Sequence, residues 1–231
     1  MRLLKLIKGD IIFQARYGFY LLFIIFSFIY IVTIKALPDS ISDTASWVMI
    51  LTDPTALGLV FMGAIIHFEI SERTINSLYI SPIKPSEYLI SKMISLAVLS
   101  TFSALLIGVL TGTVNNYLSF IIGVFIGSLI FSAIGLILAF KTSSMNQFIL
   151  GIIPAMVFII LPGAFYIIFL ESPWFIIHPA VAISELIING SHLWISLLSL
   201  GLYLIAITLI ALKVVKNKFN NESGGSYESD N

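Results

Sequence analysis

The chain has 231 residues, of which 58% are apolar and only 10% are charged, and its mean hydropathy is +1.05. A water-soluble domain has roughly a quarter of its residues charged, so the composition excludes an ordinary soluble protein. The formal net charge of zero by itself indicates no class of partner, and the absence of cysteine excludes a disulfide framework and a thiolate metal site.

The N-terminal stretch 2–17 is predicted to form an amphipathic helix in the headgroup plane. Its leucines and isoleucines share one helical face, and its basic residues lie largely on the other. The alternative is a basic flank that only sets orientation. No small-x-small cleavage site follows the stretch cleanly, so we expect it to be retained rather than removed as a signal peptide.

Six apolar stretches are close to the length of about 20 residues that a bilayer requires of a helix. The second is the least regular, because Asp53 and Pro54 interrupt it in the pattern of a helix cap followed by a first-turn proline. That pattern leaves open a helix that begins only at Asp53. The predicted spans one to six are 18–34, 48–67, 93–111, 118–140, 148–170 and 193–212.

The distribution of charge predicts that both termini are cytosolic. With that orientation, eleven of the twelve Lys and Arg residues lie on the inner side and only Lys35 lies outside, as expected from the resistance of these charges to translocation. The outer loops carry acids instead, namely Asp39, Asp43, Asp53, Glu171 and Glu185.

Small residues and prolines suggest how the spans pack. Gly123 and Gly127 in span four, extended by Ser128, Ser132 and Gly135, have the spacing that lets helices approach closely. We interpret them as internal packing, with a subunit interface as the alternative. In span five, Pro154, Pro162 and Gly163 predict a bent helix.

The segment 172–192 is too polar to cross the membrane and too apolar for an ordinary loop. We expect short helices that dip into the outer leaflet, with Glu171 and Glu185 at the aqueous edge and a turn at Asn189-Gly190. A floppy loop is the alternative. The tail 220–231 is predicted to be disordered, which leaves residues 1–219 as a single transmembrane domain.

No G-x-x-x-x-G-K-[ST] motif occurs, so the chain is not expected to bind ATP by the Walker mechanism. His67, Glu69 and Glu72 could be interpreted as a metal or protease site. Their spacing lacks the paired histidines of a zinc-protease helix, so we expect a solvated helix end, without metal or catalysis.

The polar island 69–92 is the largest hydrophilic segment between two spans, and six of its residues are charged. Residues 70–80 are predicted to form a short amphipathic helix that Ser81-Pro82 ends, and Lys84-Pro85 turns the chain into the next helix. A helix held beside the membrane in this way favours docking to a cytosolic partner. An ordinary connecting loop is the alternative.

These residues also carry a family resemblance. The island resembles the loop between spans two and three of type-2 ATP-binding-cassette (ABC) exporter permeases, in particular the small six-span ones grouped with fluoroquinolone-export permeases. The resemblance covers the layout of the whole chain, although Arg73 stands where many members have glycine. The matching residues are Phe68-Glu69, Glu72-Arg73-Thr74-Ile75, Leu78, Ser81-Pro82-Ile83, Glu87-Tyr88-Leu89 and Ser91-Lys92.

The resemblance implies an all-α membrane protein with six transmembrane helices, an N-terminal amphipathic interfacial helix, a cytosolic coupling helix and short outer helices before the last span. It implies that a separate ABC ATPase subunit binds ATP and Mg²⁺, and that this chain binds no cofactor and is not itself an enzyme. Contacts to the ATPase are implied for Glu69, Glu72, Arg73, Thr74, Ile75, Leu78 and Pro82.

The same resemblance implies a homodimer, or a heterodimer with a paralogous permease, in a bacterial plasma membrane, with no nucleic-acid partner. Its cargo path would follow the dimer seam along spans one, two and five, with the bend at Pro154, Pro162 and Gly163 facing it. The expected cargo is a lipophilic or amphiphilic drug, lipid or apolar peptide. Ion-gradient transport and a non-transport membrane subunit or intramembrane enzyme are the alternatives.

Overall fold

The computed structural model describes residues 2–72, 83–169 and 173–224. This part of the chain is built from α-helices joined by short turns, with a 3₁₀ turn over Pro173–Ile177. The helices are α1 Arg2–Arg16, α2 Phe19–Ala36, α3 Asp39–Ile50, α4 Leu57–Ser71, α5 Pro85–Thr111, α6 Tyr117–Lys141, α7 Met145–Phe169, α8 Pro179–Ile188 and α9 Leu193–Gly224.

The predicted all-α membrane fold is confirmed. Within the described ranges, six helical segments are long and apolar enough to cross a membrane: α2, the continuous stretch Asp39–Ser71, α5, α6, α7 and α9. The short helices before the last span are the 3₁₀ turn and α8. The predicted coupling helix falls mainly on 73–82, outside the described residues. At the C-terminus α9 continues to Gly224, so residues 220–224, predicted to be disordered, are helical, and 225–231 lie outside the described residues.

Span two is longer than predicted, and the possible helix start at Asp53 is wrong. The chain stays helical from Asp39 and passes Pro54 through a π-helical turn, Leu51–Thr55. Thr55 Oγ1 donates to the carbonyl of Ile50 at 2.8 Å, and Ser100 Oγ of α5 donates to the carbonyl of Pro54. These two hydroxyls donate hydrogen bonds to backbone carbonyls of the widened turn, so the proline is accommodated without ending the helix.

The predicted start of the helix after the island and the predicted turn at the end of the outer segment are both well formed. Pro85 occupies the first turn of α5, and the Glu87 carboxylate accepts a hydrogen bond from the Lys84 N–H at 3.0 Å. Asn189 ends α8 in the left-handed conformation, with φ +57°, which confirms the turn predicted at Asn189-Gly190.

The small residues of α6 pack inside the chain, which confirms our interpretation of span four. A methyl group on Gly135 would overlap the Leu59 carbonyl of α4. One on Gly123 would lie 2.7 Å from Leu186 Cβ of α8, and one on Gly127 would lie 2.8 Å from Thr55 Cγ2. Glycine at these positions therefore sets the close approach of α6 to its neighbours.

The spans differ in how much of their surface the chain itself covers. In the most apolar 18-residue window of each span, 72% of residues are buried for span two, but only 22% for α2, 28% for α7 and 17% for α9. Span two is therefore central, and α2, α7 and α9 present apolar surface outward. We call the end of the bundle that holds α1 and the α6–α7 turn the α1 end, and the opposite end the α8 end.

Candidate functional site

A buried group of polar side chains joins three helices at the α1 end. Lys92 of α5 has a 3% exposed side chain, and its Nζ lies 3.0 Å from Asp10 Oδ1 of α1 and 2.6 Å from Glu69 Oε1 of α4. The Tyr88 hydroxyl donates to Glu69 Oε2 at 2.7 Å, and the Lys92 ammonium lies 4.9 Å from the centre of the Tyr88 ring. We call Asp10, Glu69, Tyr88 and Lys92 the junction cluster.

Helical spacing brings these side chains together. Tyr88 and Lys92 stand one turn apart on α5, and Asp10 and Gln14 stand one turn apart on α1, so each pair shares a face. The buried Gln14 amide donates to Ser95 Oγ, one further turn along α5, at 2.8 Å. The amphipathic helix α1 is therefore bonded to α5 through Asp10 and Gln14, rather than lying free in the interface, and its basic residues stay exposed.

A second contact joins α1 to the last turn of α4. The Tyr17 hydroxyl donates to Glu72 Oε1, and the Tyr17 ring packs against Phe13 and Phe68 with centroids 4.3 and 5.6 Å away. The hydrogen bond to the Glu72 carboxylate, with smaller contributions from burial and from the Glu72 charge, raises the pKa of the Tyr17 hydroxyl. Tyr17 thus remains a protonated donor at neutral pH.

The structure describes two of the seven residues that were predicted to contact an ATPase. Glu72 is exposed at the end of α4. Glu69 is 7% exposed, and both of its carboxylate oxygens are engaged within the junction cluster. The other five, Arg73, Thr74, Ile75, Leu78 and Pro82, lie outside the described residues.

Sequence reasoning assigned no role to Asp10 or Tyr17. It counted Tyr88 and Lys92 among the residues that carry the family resemblance, and Lys92 also among the charges of the island, without a partner for either. One available signal was Lys92 itself, which lies seven residues inside a membrane-length helix. A lysine at such a position requires a partner, and the other described helices of the α1 end carry the acids that can supply one.

The three residues that could be interpreted as a metal site point to separate partners. His67 Nε2 lies 3.2 Å from Thr142 Oγ1 at the α6–α7 turn, Glu69 binds Lys92, and Glu72 binds Tyr17. Within the described ranges, no three His, Asp or Glu residues come together as metal ligands would. The arrangement joins helices and offers no shared coordination position.

The residues predicted to bend span five lie within a single helix. Pro154 and Pro162 are both inside α7, and Gly163 packs against α8, where an added methyl group would lie 2.7 Å from the Ala180 carbonyl. Whether α7 bends, and whether it faces a cargo path, stay predictions.

Pro162 cannot donate to the carbonyl of Phe158, four residues earlier. The His178 imidazole, from the segment before α8, lies beside that carbonyl, and its buried Nδ1 has no hydrogen-bond partner among the described residues. Burial lowers the pKa of His178, and the Phe158 carbonyl offsets part of this effect. The His178 ring is therefore placed next to the carbonyl that Pro162 leaves without its helical donor.

Glu185 corrects a prediction, because it is 1% exposed rather than at the aqueous edge. Its carboxylate accepts from the Tyr166 hydroxyl of α7 at 2.7 Å and from the backbone N–H of His192, before α9, at 2.7 Å. The Asn189-Gly190 turn folds the start of α9 back over α8, so the carboxylate meets an unpaired helix-start N–H instead of water. Glu171 lies outside the described residues.

Comparisons with known proteins agree with this architecture. The model of the fluoroquinolones export permease protein family matches residues 1–215. Two fluoroquinolones export permease proteins from two strains of Mycobacterium tuberculosis are each 24% identical to this chain over 167 residues, covering 71% of this chain and 70% of the relative. The chain is a multi-pass membrane protein that belongs to the fluoroquinolones export permease protein family.

Proposed function

We propose that this chain is the membrane-spanning subunit of an ABC exporter, moving an amphiphilic drug outward with energy from ATP that a separate ATPase subunit hydrolyses. Membership of an export permease family and six apolar spans support a permease for drug export. The curated relatives are named for fluoroquinolones, so we take a fluoroquinolone-like amphiphile as the first cargo to test.

The observation that carries the ATPase partnership is the junction cluster. The two helices that flank residues 73–82 are bonded to each other through Glu69, Tyr88 and Lys92, and to α1 through Asp10 and Tyr17. A force applied to the segment between them would therefore move α4, α5 and α1 as one body. This mechanical arrangement is suited to a segment that receives motion from a partner.

In this proposal the α1 end is cytosolic, and Glu72, Arg73, Thr74, Ile75, Leu78 and Pro82 contact the ATPase. Glu69 supports the segment from inside, since its carboxylate is occupied by Lys92 and Tyr88. ATP and Mg²⁺ bind the ATPase chain.

Two permease copies, or this chain and a paralogue, meet through the outward apolar surfaces of α2 and α7 in a bacterial plasma membrane. An ion-gradient transporter and a non-transport membrane subunit remain the competing functions.

Copurification tests the partnership. The tagged chain is coexpressed with candidate ABC ATPases from its own genome, in wild-type form, with 73–82 replaced by a Gly-Ser linker of equal length, and as Glu72→Ala. We expect an ATPase to copurify with the wild type, to be lost with the linker and to be retained but stimulated less with Glu72→Ala. The matched control is Asp43→Ala. Asp43 is an exposed acid of span two that lies at the α8 end, away from the docking segment. Equal recovery of the ATPase with the linker variant would contradict the proposed docking segment.

A further inference from the structure

A carboxylate lies at the middle depth of the membrane-spanning bundle. Asp53 adjoins Pro54, whose carbonyl accepts from Ser100, and Ser100 stands 15 residues after the start of α5 and 11 before its end. Thr55 packs on Gly127, which stands 10 residues after the start of α6 and 14 before its end. At about 1.5 Å per residue both positions are roughly 15 Å or more from either helix end, near the centre of an apolar layer about 30 Å thick.

Asp53 is isolated at this depth. With span six taken as Leu193–Asn220, every other Asp, Glu, Lys or Arg in the described spans lies within seven residues of an end of its span, whereas Asp53 is 14 residues from the start of span two. The cation of the junction cluster, Lys92, pairs with Asp10 and Glu69 and not with Asp53. It was predicted to lie in an outer loop, and the structure places it inside the span.

The surroundings satisfy this carboxylate only in part. The Tyr30 hydroxyl of α2 lies beside the carboxyl group, but the buried oxygen Oδ2 has no hydrogen-bond partner in the described part of the chain. The residue as a whole is half-buried, so part of it is reachable from outside the chain. An uncompensated acid at this depth is costly to folding, and π turns recur at functional positions in helices.

We propose that Asp53 recognises the positive charge of the cargo, so that the exporter prefers lipophilic molecules that carry a protonated amine. The carboxylate would pair with the cargo ammonium while apolar surface of the neighbouring spans contacts the rest of the molecule. Tyr30 orients the carboxylate from α2. This inference rests on the proposed export function, and it adds a specificity-determining residue to it.

The test uses two probes that differ by one charge, a fluoroquinolone with a basic piperazine ring and its N-acetyl derivative, which lacks the ammonium. Equilibrium binding and ATP-driven transport of both are measured for the wild-type complex, for Asp53→Asn and for Asp43→Asn, an exposed acid in the same span. Asp53→Asn should weaken binding and raise the KM of the amine probe roughly tenfold, equivalent to about 1.4 kcal/mol, with less than about twofold change for the acetylated probe. Asp43→Asn should leave both probes unchanged.

The outcomes separate this inference from the function on which it rests. Wild-type complex that exports neither probe with ATP would overturn the export function. Wild-type export of both probes, with Asp53→Asn affecting the two equally or not at all, would overturn only the role of Asp53. If Asp53→Asn reduces the transport of the two probes equally, the carboxylate has a structural or proton-carrying role instead of recognising the ammonium. If Asp53→Asn does not fold, Asp53→Glu, which keeps the charge, must preserve the preference for the amine probe, and its loss there would also refute the proposal.

Discussion

Lys92 is the residue on which the α1 end depends, because it is the cation shared by two carboxylates in a buried position. Removing one partner of a buried ion pair typically costs about 3–5 kcal/mol, while replacing the whole group by well-packed apolar side chains of similar volume is often close to neutral. Stability and coupling can therefore be separated experimentally at this cluster.

We expect Lys92→Met to lower the free energy of unfolding by about 3 kcal/mol, because Asp10 and Glu69 then face each other without a cation. Adding Asp10→Asn and Glu69→Gln should restore part of that stability, because it removes the two uncompensated charges, but not the coupling, since the bonds between α1, α4 and α5 stay weaker than in the wild type. Thermal unfolding in detergent and cargo moved per ATP hydrolysed are the two measurements.

Ser103→Ala is the matched control for this series. It removes a buried hydroxyl contact with Ser27, 2.6 Å long, from the same helix α5 but away from the junction cluster. It should cost about 0.6 kcal/mol, as such bonds between membrane helices do on average, and leave the coupling ratio unchanged. Full recovery of coupling in the neutral triple variant would show that the cluster only stabilises the fold.

At the scale of helices, the close contact of α4 and α6 determines where span two lies. Gly135→Ala would place a methyl group against the Leu59 carbonyl, and overpacking of this kind costs about 1–3 kcal/mol. Gly151→Ala on α7 is the control, since nothing lies within 4 Å of its added methyl group, and it should be neutral or stabilise by up to about 1 kcal/mol. Unfolding of the two variants in detergent distinguishes them, and equal stability would contradict the assigned contact.

The helices themselves could be predicted from the sequence, because apolar stretches of membrane length leave the backbone no alternative to helix. The end of α8 at Asn189 and the start of α5 at Pro85 could also be predicted, because each depends on a residue type that ends or begins a helix. The passage of span two through Pro54 could not, since it depends on hydroxyls such as that of Ser100, 46 residues away.

Side-chain partners were the least predictable part of the site. Asp10 and Lys92 are 82 residues apart, and Glu185 meets Tyr166 and His192 only because a turn reverses the chain. A single sequence shows that Lys92 requires an acid and that Glu185 requires donors, but it does not say which residues provide them. Glu69, which was predicted from the sequence to contact an ATPase, binds Lys92 and Tyr88 within the chain.

For the molecule as a whole, the distribution of covered and uncovered surface fits a subunit of a larger assembly. Most of span two is buried inside the chain, whereas α2, α7 and α9 each leave most of their apolar residues uncovered. Lipid can cover such faces, and a second permease copy can cover those of α2 and α7. The buried Lys92 and its two carboxylate partners lie at the α1 end, beside the segment proposed to meet the ATPase.

The measurement that tests the central claim most directly is drug uptake into inverted proteoliposomes that contain this chain and its copurified ATPase, with ionophores present to abolish ion gradients. We predict that ATP drives uptake of a fluoroquinolone and that ADP, or an ATPase variant unable to hydrolyse ATP, does not. Uptake that needs a proton or sodium gradient and is indifferent to ATP would contradict the account.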